Sequence, residues 1–87
     1  MASLTVDLVS ADRQIWSGLA NAVSVPSVNG QLGILARHTP ILAVLRGGKV
    51  KITTFDGEIF EVSVTGGFVS VDSNEVTIVV DDVTIQR

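Results

Sequence analysis

Eighty-seven residues with 46% hydrophobic content make one domain with a single core, large enough to fold without disulfide or metal help. The absence of cysteine removes disulfides, thiolate metal sites, iron–sulfur clusters and thiol nucleophiles together. Six basic against nine acidic residues, a net charge of −3, argue against a binder of phosphate backbones, which needs an excess of Lys and Arg. No basic segment followed by an apolar run opens the chain, and no stretch approaches the roughly 20 apolar residues that span a bilayer as a helix. Nucleic acid and direct membrane insertion therefore both drop out as expected modes of action.

In chain order the dominant period is two. Leu4, Val6 and Leu8 alternate with Thr5 and Asp7; Val23 and Val25 flank Ser24; Val50 and Ile52 alternate with Lys49, Lys51 and Thr53. The same rhythm runs through Phe60, Val62 and Val64, and through Val76, Ile78 and Val80. Such alternation places one face of each strand on a core and the other toward solvent, and nowhere do ten residues follow a helical stripe. Turn signals separate the runs at Ala11-Asp12, Asn29-Gly30, Gly47-Gly48, Asp56-Gly57, Gly66-Gly67, Ser73-Asn74 and Asp81-Asp82. Residues 49–64 are predicted to form a hairpin turning at Asp56-Gly57, where glycine supplies the positive φ of a tight turn. Short strands with turns at intervals of about 8–12 residues imply an all-β sandwich or small barrel of about nine or ten strands. The β-branched run 76–80 predicts a central, well-covered strand. Residues 1–87 form one domain, and Ile85, Gln86 and Arg87 end it without a capping element, as in a piece of a longer protein.

Catalytic chemistry finds little footing. His38 is the only histidine, too few for a multi-histidine metal site. Asp81 and Asp82 are neighbours on an extended chain and point to opposite faces, so they do not make a catalytic carboxylate pair. No Ser occupies a Gly-x-Ser-x-Gly elbow, and Gly30-x-x-Gly33 has neither the spacing nor the following Lys-Ser or Lys-Thr of a phosphate loop. The expectation is no catalytic residue, no metal and no cofactor. Arg37, Arg46, Lys49 and Lys51 lie within fifteen residues of one another and read either as a positive patch facing an acidic partner or as a solvated edge guarded by lysines. His38 reads as an interface hydrogen-bonder or as a loop residue bonded to nearby backbone, and Trp16 as a core or rim aromatic. The segment 41–45 is apolar at every position and 76–80 at every position but Thr77, so both faces need cover, and in so small a domain a partner would supply some of it.

Taken in order, Val6-Asp7-Leu8-Val9-Ser10, Ile15-Trp16-Ser17-Gly18, the run Gly30-Gln31-Leu32-Gly33-Ile34-Leu35-Ala36-Arg37-His38-Thr39-Pro40 and Gly66-Gly67-Phe68-Val69-Ser70-Val71 resemble the N-terminal domain of the epsilon subunit of the bacterial F-type ATP synthase. The resemblance covers essentially the whole chain. It implies a flattened antiparallel β-sandwich of about ten short strands, without catalysis of its own, in the central stalk of a proton-translocating rotor. The implied partners are the gamma subunit and the rotor ring of c subunits, and the implied location is peripheral, on the cytoplasmic face of the bacterial plasma membrane. In that family the loop after the third strand meets the ring, here Asn29, Gly30, Gln31 and Leu32. The histidine region meets gamma, here Arg37, His38, Thr39 and Pro40.

Two positions depart from the family pattern. Gln31 stands where Glu is common, turning a salt bridge to the ring into a neutral hydrogen bond, weaker by roughly a factor of two. Ala36 stands where Pro is usual. The C-terminal helical hairpin of full-length epsilon subunits has no counterpart in these residues, so the chain is expected to assemble but not to latch hydrolysis. A competing reading is a small-ligand or carbohydrate-binding sandwich. The scarcity of aromatics, three Phe, one Trp and no Tyr, weighs against it, since such modules stack sugars on exposed rings.

Overall fold

The computed structural model describes residues 3–85, and the expectation about Gln86 and Arg87 lies outside the described residues. Nine strands occur in order: β1 Leu4–Ser10, β2 Arg13–Ser27, β3 Gly30–Leu35, β4 Ile41–Leu45, β5 Gly48–Thr54, β6 Ile59–Val64, β7 Gly67–Asp72, β8 Glu75–Val80 and β9 Val83–Ile85. They form one sheet folded over into a sandwich. The first part of β2 pairs with β1, from Ser10↔Arg13 to Leu4↔Ala20, whereas the second part pairs with β5 and β3. A register irregularity between Ala20 and Ala22 marks the bend. One layer thus holds the start of β2 with β1, β8, β7 and β4, and the other holds the end of β2 with β3, β5, β6 and β9.

The nine strands described fall within the expected nine or ten, with β2 running unbroken for 15 residues through its bend. One feature departs from the sequence expectation: the sheet is not wholly antiparallel. β1 and β8 pair in parallel, from Thr5↔Glu75 to Ser10↔Val80. They lie at opposite ends of the chain with no hairpin between them, so nothing local dictates their relative direction.

The period-two reading holds in detail. Leu4, Val6, Leu8, Val23, Val25, Val50, Ile52, Val62, Val64, Val76, Ile78 and Val80 are all buried, joined by Ala20, Ile34, Leu45, Val69 and Val71 in one core. Each fully buried Val, Leu or Ile contributes about 1.5–3 kcal/mol relative to exposure, and almost every one comes from the inward face of a strand. Trp16 is a rim residue. It is half-buried, packs against the core and stacks on Phe60 with ring centroids 6.1 Å apart.

The turns explain the register. The 49–64 hairpin is present, with Lys51 opposite Glu61 and Gly57 at φ +90°. Ser73 and Asn74 both have positive φ, 51° and 65°, the type I′ pattern that matches strand twist, and they join β7 to β8. Gly67 is where side-chain absence is obligatory: at φ +143°, a Cβ there would lie 1.9 Å from the Val79 carbonyl oxygen. β8 is central, hydrogen-bonded to β1 and β7, although Thr77 on its outer face is exposed.

Candidate interaction surface

The turn between β2 and β3 forms a tip. Val28 and Asn29 are its exposed central residues, and Gly30 follows at φ +124°. Ser27, a buried polar residue, braces it from inside. Its hydroxyl donates to the Gly30 carbonyl at 2.6 Å and accepts from the Asn29 amide at 3.3 Å. The tip follows the second strand, not the third, because the bend in β2 does not interrupt pairing. Gln31 is exposed, its amide donating to the Ser24 hydroxyl across the strand pair. Leu32 is half-buried and packs against the core, so the outward residues of this set are Asn29 and Gln31.

The second loop, residues 36–40, leaves the other end of β3. Arg37, Thr39 and Pro40 are exposed and His38 is half-buried. The His38 ring donates from Nδ1 to the Thr39 carbonyl at 2.6 Å, the backbone-bonded arrangement that one sequence reading anticipated. Arg37 adopts φ +68°, unusual for a long side chain, and its amide donates to Asn74 Oδ1 at 2.6 Å. The two loops are not brought together. They stand at opposite ends of the six-residue β3, about 17 Å apart along the strand.

What connects them is β4, which runs back from the 36–40 loop toward the tip. Its outer face carries Leu42 and Val44, 72% and 59% exposed, and the Val28 amide donates to the Val44 carbonyl at 3.0 Å. Val28 is itself 56% exposed, and Phe68, registered opposite Val44 on β7, is 43% exposed. Beside Pro40 a shallow depression of about 350 Å³ is lined by Leu42, Ser70 and Asp72. An apolar strip therefore spans the molecule from Pro40 through Leu42 and Val44 to Val28. Exposed apolar side chains grouped in this way mark contact surfaces more often than single scattered ones do. Sequence reasoning found the need for cover over 41–45 but missed Val28 and Phe68. The signal for Val28 was a Val at the centre of a turn.

The basic residues do not merge into one patch. Lys49 and Lys51 face outward on β5, with Glu61 opposite Lys51, while Arg37 and Arg46 lie beyond opposite ends of β4. On the outside of the second layer a depression of about 420 Å³ is lined by small side chains, Ala22, Ser24, Gly33 and Thr53, with Leu35 and Lys51. It offers no aromatic ring to a sugar. Among the described residues, no group of three or more His, Asp or Glu is placed to hold a metal, and no helix is long and apolar enough to cross a membrane.

Two exposed loops and the apolar strip between them are carried on a β-sandwich domain. The chain belongs to the family described as ATP synthase, Delta/Epsilon chain, beta-sandwich domain, whose model matches residues 3–86. It is 53% identical over 78 residues to an ATP synthase epsilon chain of Micrococcus luteus, covering 90% of this chain and 86% of that one. It is 45% identical over 82 residues to that of Rhodococcus opacus, covering 93% of this chain but 67% of the relative. For Synechococcus elongatus the identity is 43%, and the match spans 57% of the relative's length. Among solved structures, a chain of the Euglena gracilis mitochondrial ATP synthase, OSCP/F1/c-ring in rotational state 1, superposes with a TM-score of 0.91 at 22% identity. That match covers 98% of this chain and 54% of the Euglena chain. A chain of the Tetrahymena thermophila mitochondrial ATP synthase, central stalk/c-ring, gives 0.78 at 24% identity, covering 94% and 66%. At these identities the likeness is one of fold.

Proposed function

We propose that this domain, working as one unit of residues 1–87, is a non-catalytic central-stalk element of a proton-translocating F-type ATP synthase, holding the gamma subunit to the rotor ring of c subunits. Asn29, Gly30 and Gln31, with Leu32 behind them and Val28 beside them, meet the ring. Arg37, His38, Thr39 and Pro40 meet gamma, together with the strip from Leu42 to Val44. The observation that carries this reading is the exposed apolar strip joining two loops at opposite ends of one strand. A domain that transmits torque needs two separated contact regions on a stiff body, and a closed β core of interdigitated side chains supplies the stiffness. The domain sits peripherally on the cytoplasmic face of the membrane and reaches it only through its neighbours.

Membership of the epsilon family and the structural likeness to chains of stalk-containing complexes support this assignment. Gln31 retains hydrogen-bonding capacity toward the ring but not charge, so that contact is expected to depend weakly on salt. The test is reconstitution of the chain with purified gamma subunit and isolated rotor ring. A ternary complex is expected, with gamma binding lost on changes in 37–44 and ring binding lost on changes in 28–31. Binding of neither partner would defeat the proposal.

A further inference from the structure

We propose that Asn74 is a positioning residue that presets the 36–40 loop for its partner; this rests on the reading that the loop meets the gamma subunit. Asn74 lies in the β7–β8 turn, distant in sequence from the loop, yet its Oδ1 accepts the Arg37 amide at 2.6 Å. Its own carbonyl accepts the Thr5 amide at 2.8 Å, tying the same residue to the start of β1. The turn alone does not call for this side chain. Asn74 sits at φ +65°, where glycine serves as well, so the turn is satisfied without any amide group. Only the side-chain oxygen reaches Arg37.

Arg37 in turn occupies φ +68°, a conformation that a long side chain seldom adopts without something to hold it. Behind it the His38 amide closes back on the Leu35 carbonyl at 3.2 Å. The backbone of the loop is thereby held at two points while the side chains of Arg37, Thr39 and Pro40 stay exposed. A loop fixed in backbone and free in side chain loses little further entropy when a partner covers it. Asn74 supplies that fixation from a neighbouring hairpin without itself needing to touch the partner.

The test compares wild type, Asn74→Gly, Asn74→Asp and His38→Ala in the 87-residue chain. Amide exchange is read at Arg37, and affinity is measured for purified gamma subunit. Asn74→Gly keeps the left-handed turn and removes the acceptor. It is expected to cut Arg37 protection by about ten-fold and weaken gamma binding by about five-fold. Asn74→Asp keeps an acceptor oxygen and is expected to restore both. Arg37 protection unchanged in Asn74→Gly would overturn the proposal. So would loss of protection with unchanged affinity; if His38→Ala still weakened binding, the docking assignment itself would stand. If Arg37 were released and neither variant altered affinity, the docking assignment would fail and the proposal with it. A melting temperature lowered by more than about 8 °C in Asn74→Gly would make the residue a general support of the fold and overturn the specific role.

Discussion

Leu42→Glu separates folding from assembly most cleanly. Leu42 is 72% exposed, so only about a quarter of its side chain is buried by the fold. Full burial of Leu is worth about 1.5–3 kcal/mol, and a quarter of that is roughly 0.4–0.8 kcal/mol. The lower strand preference of Glu adds up to about 0.5 kcal/mol. The isolated domain should therefore lose about 1 kcal/mol and melt about 4–8 °C lower. Association behaves differently. If a partner covers the strip, the exposed three quarters of Leu42 contributes about 1–2 kcal/mol to binding, and a carboxylate placed there must also be desolvated, at a further 1–3 kcal/mol or so. The affinity for gamma should fall by at least about 30-fold. Thermal unfolding followed by circular dichroism gives the first quantity and surface-immobilised binding to purified gamma gives the second. Affinity within two-fold of wild type in a folded variant would show that β4 is not covered by gamma. A drop in melting temperature of 15 °C or so would show instead that Leu42 belongs to the core.

At the tip, Gln31→Ala removes an exposed hydrogen bond to Ser24 and should change stability by less than about 0.5 kcal/mol while weakening co-sedimentation with the rotor ring. Unaltered ring binding would move the contact elsewhere. Gly67→Ala should cost about 3–5 kcal/mol, since the new Cβ would sit 1.9 Å from the Val79 oxygen and the ladder to β8 must open. Gly33→Ala, with nothing within 4 Å of the added carbon, should stay within about 1 kcal/mol of wild type when both glycine variants are unfolded in a urea titration. Similar costs for the two glycines would refute the steric argument. Ile34→Ala empties a fully buried position in β3 and should lose about 2–5 kcal/mol in that titration, with amide exchange accelerating at both the tip and the 36–40 loop that this strand joins.

Much of the candidate site was legible because its signals are local. The Asn29-Gly30 pair announces the tip, the Pro40 segment announces a loop, and the apolar run over 41–45 announces a face in need of cover. The inward turn of Leu32 was not legible, since its direction depends on which residue of the tip begins the ladder; the pair Ser27↔Gly30 decides that Leu32 faces the core. The role of Asn74 was hidden for a different reason. Its partner Arg37 lies far away in sequence, and no spacing rule links a hairpin turn to a loop on another strand.

Leu32 aside, sequence alone determined which strand side chains go inward. Residues alternate faces along an extended strand, so Val50 and Ile52, or Val76 and Ile78, are assigned to the core before any neighbour is known. It also determined where the chain turns, because glycine and asparagine relieve the steric bar to positive φ. Tertiary structure decided which strands meet. The parallel union of β1 with β8, the pairing of β4 with β7 and the pairing of β2 with β5 all join segments without a tight turn between them. Backbone hydrogen-bonding groups are the same for every residue type but proline, so partner and direction are chosen only when the whole set of apolar faces closes on one core.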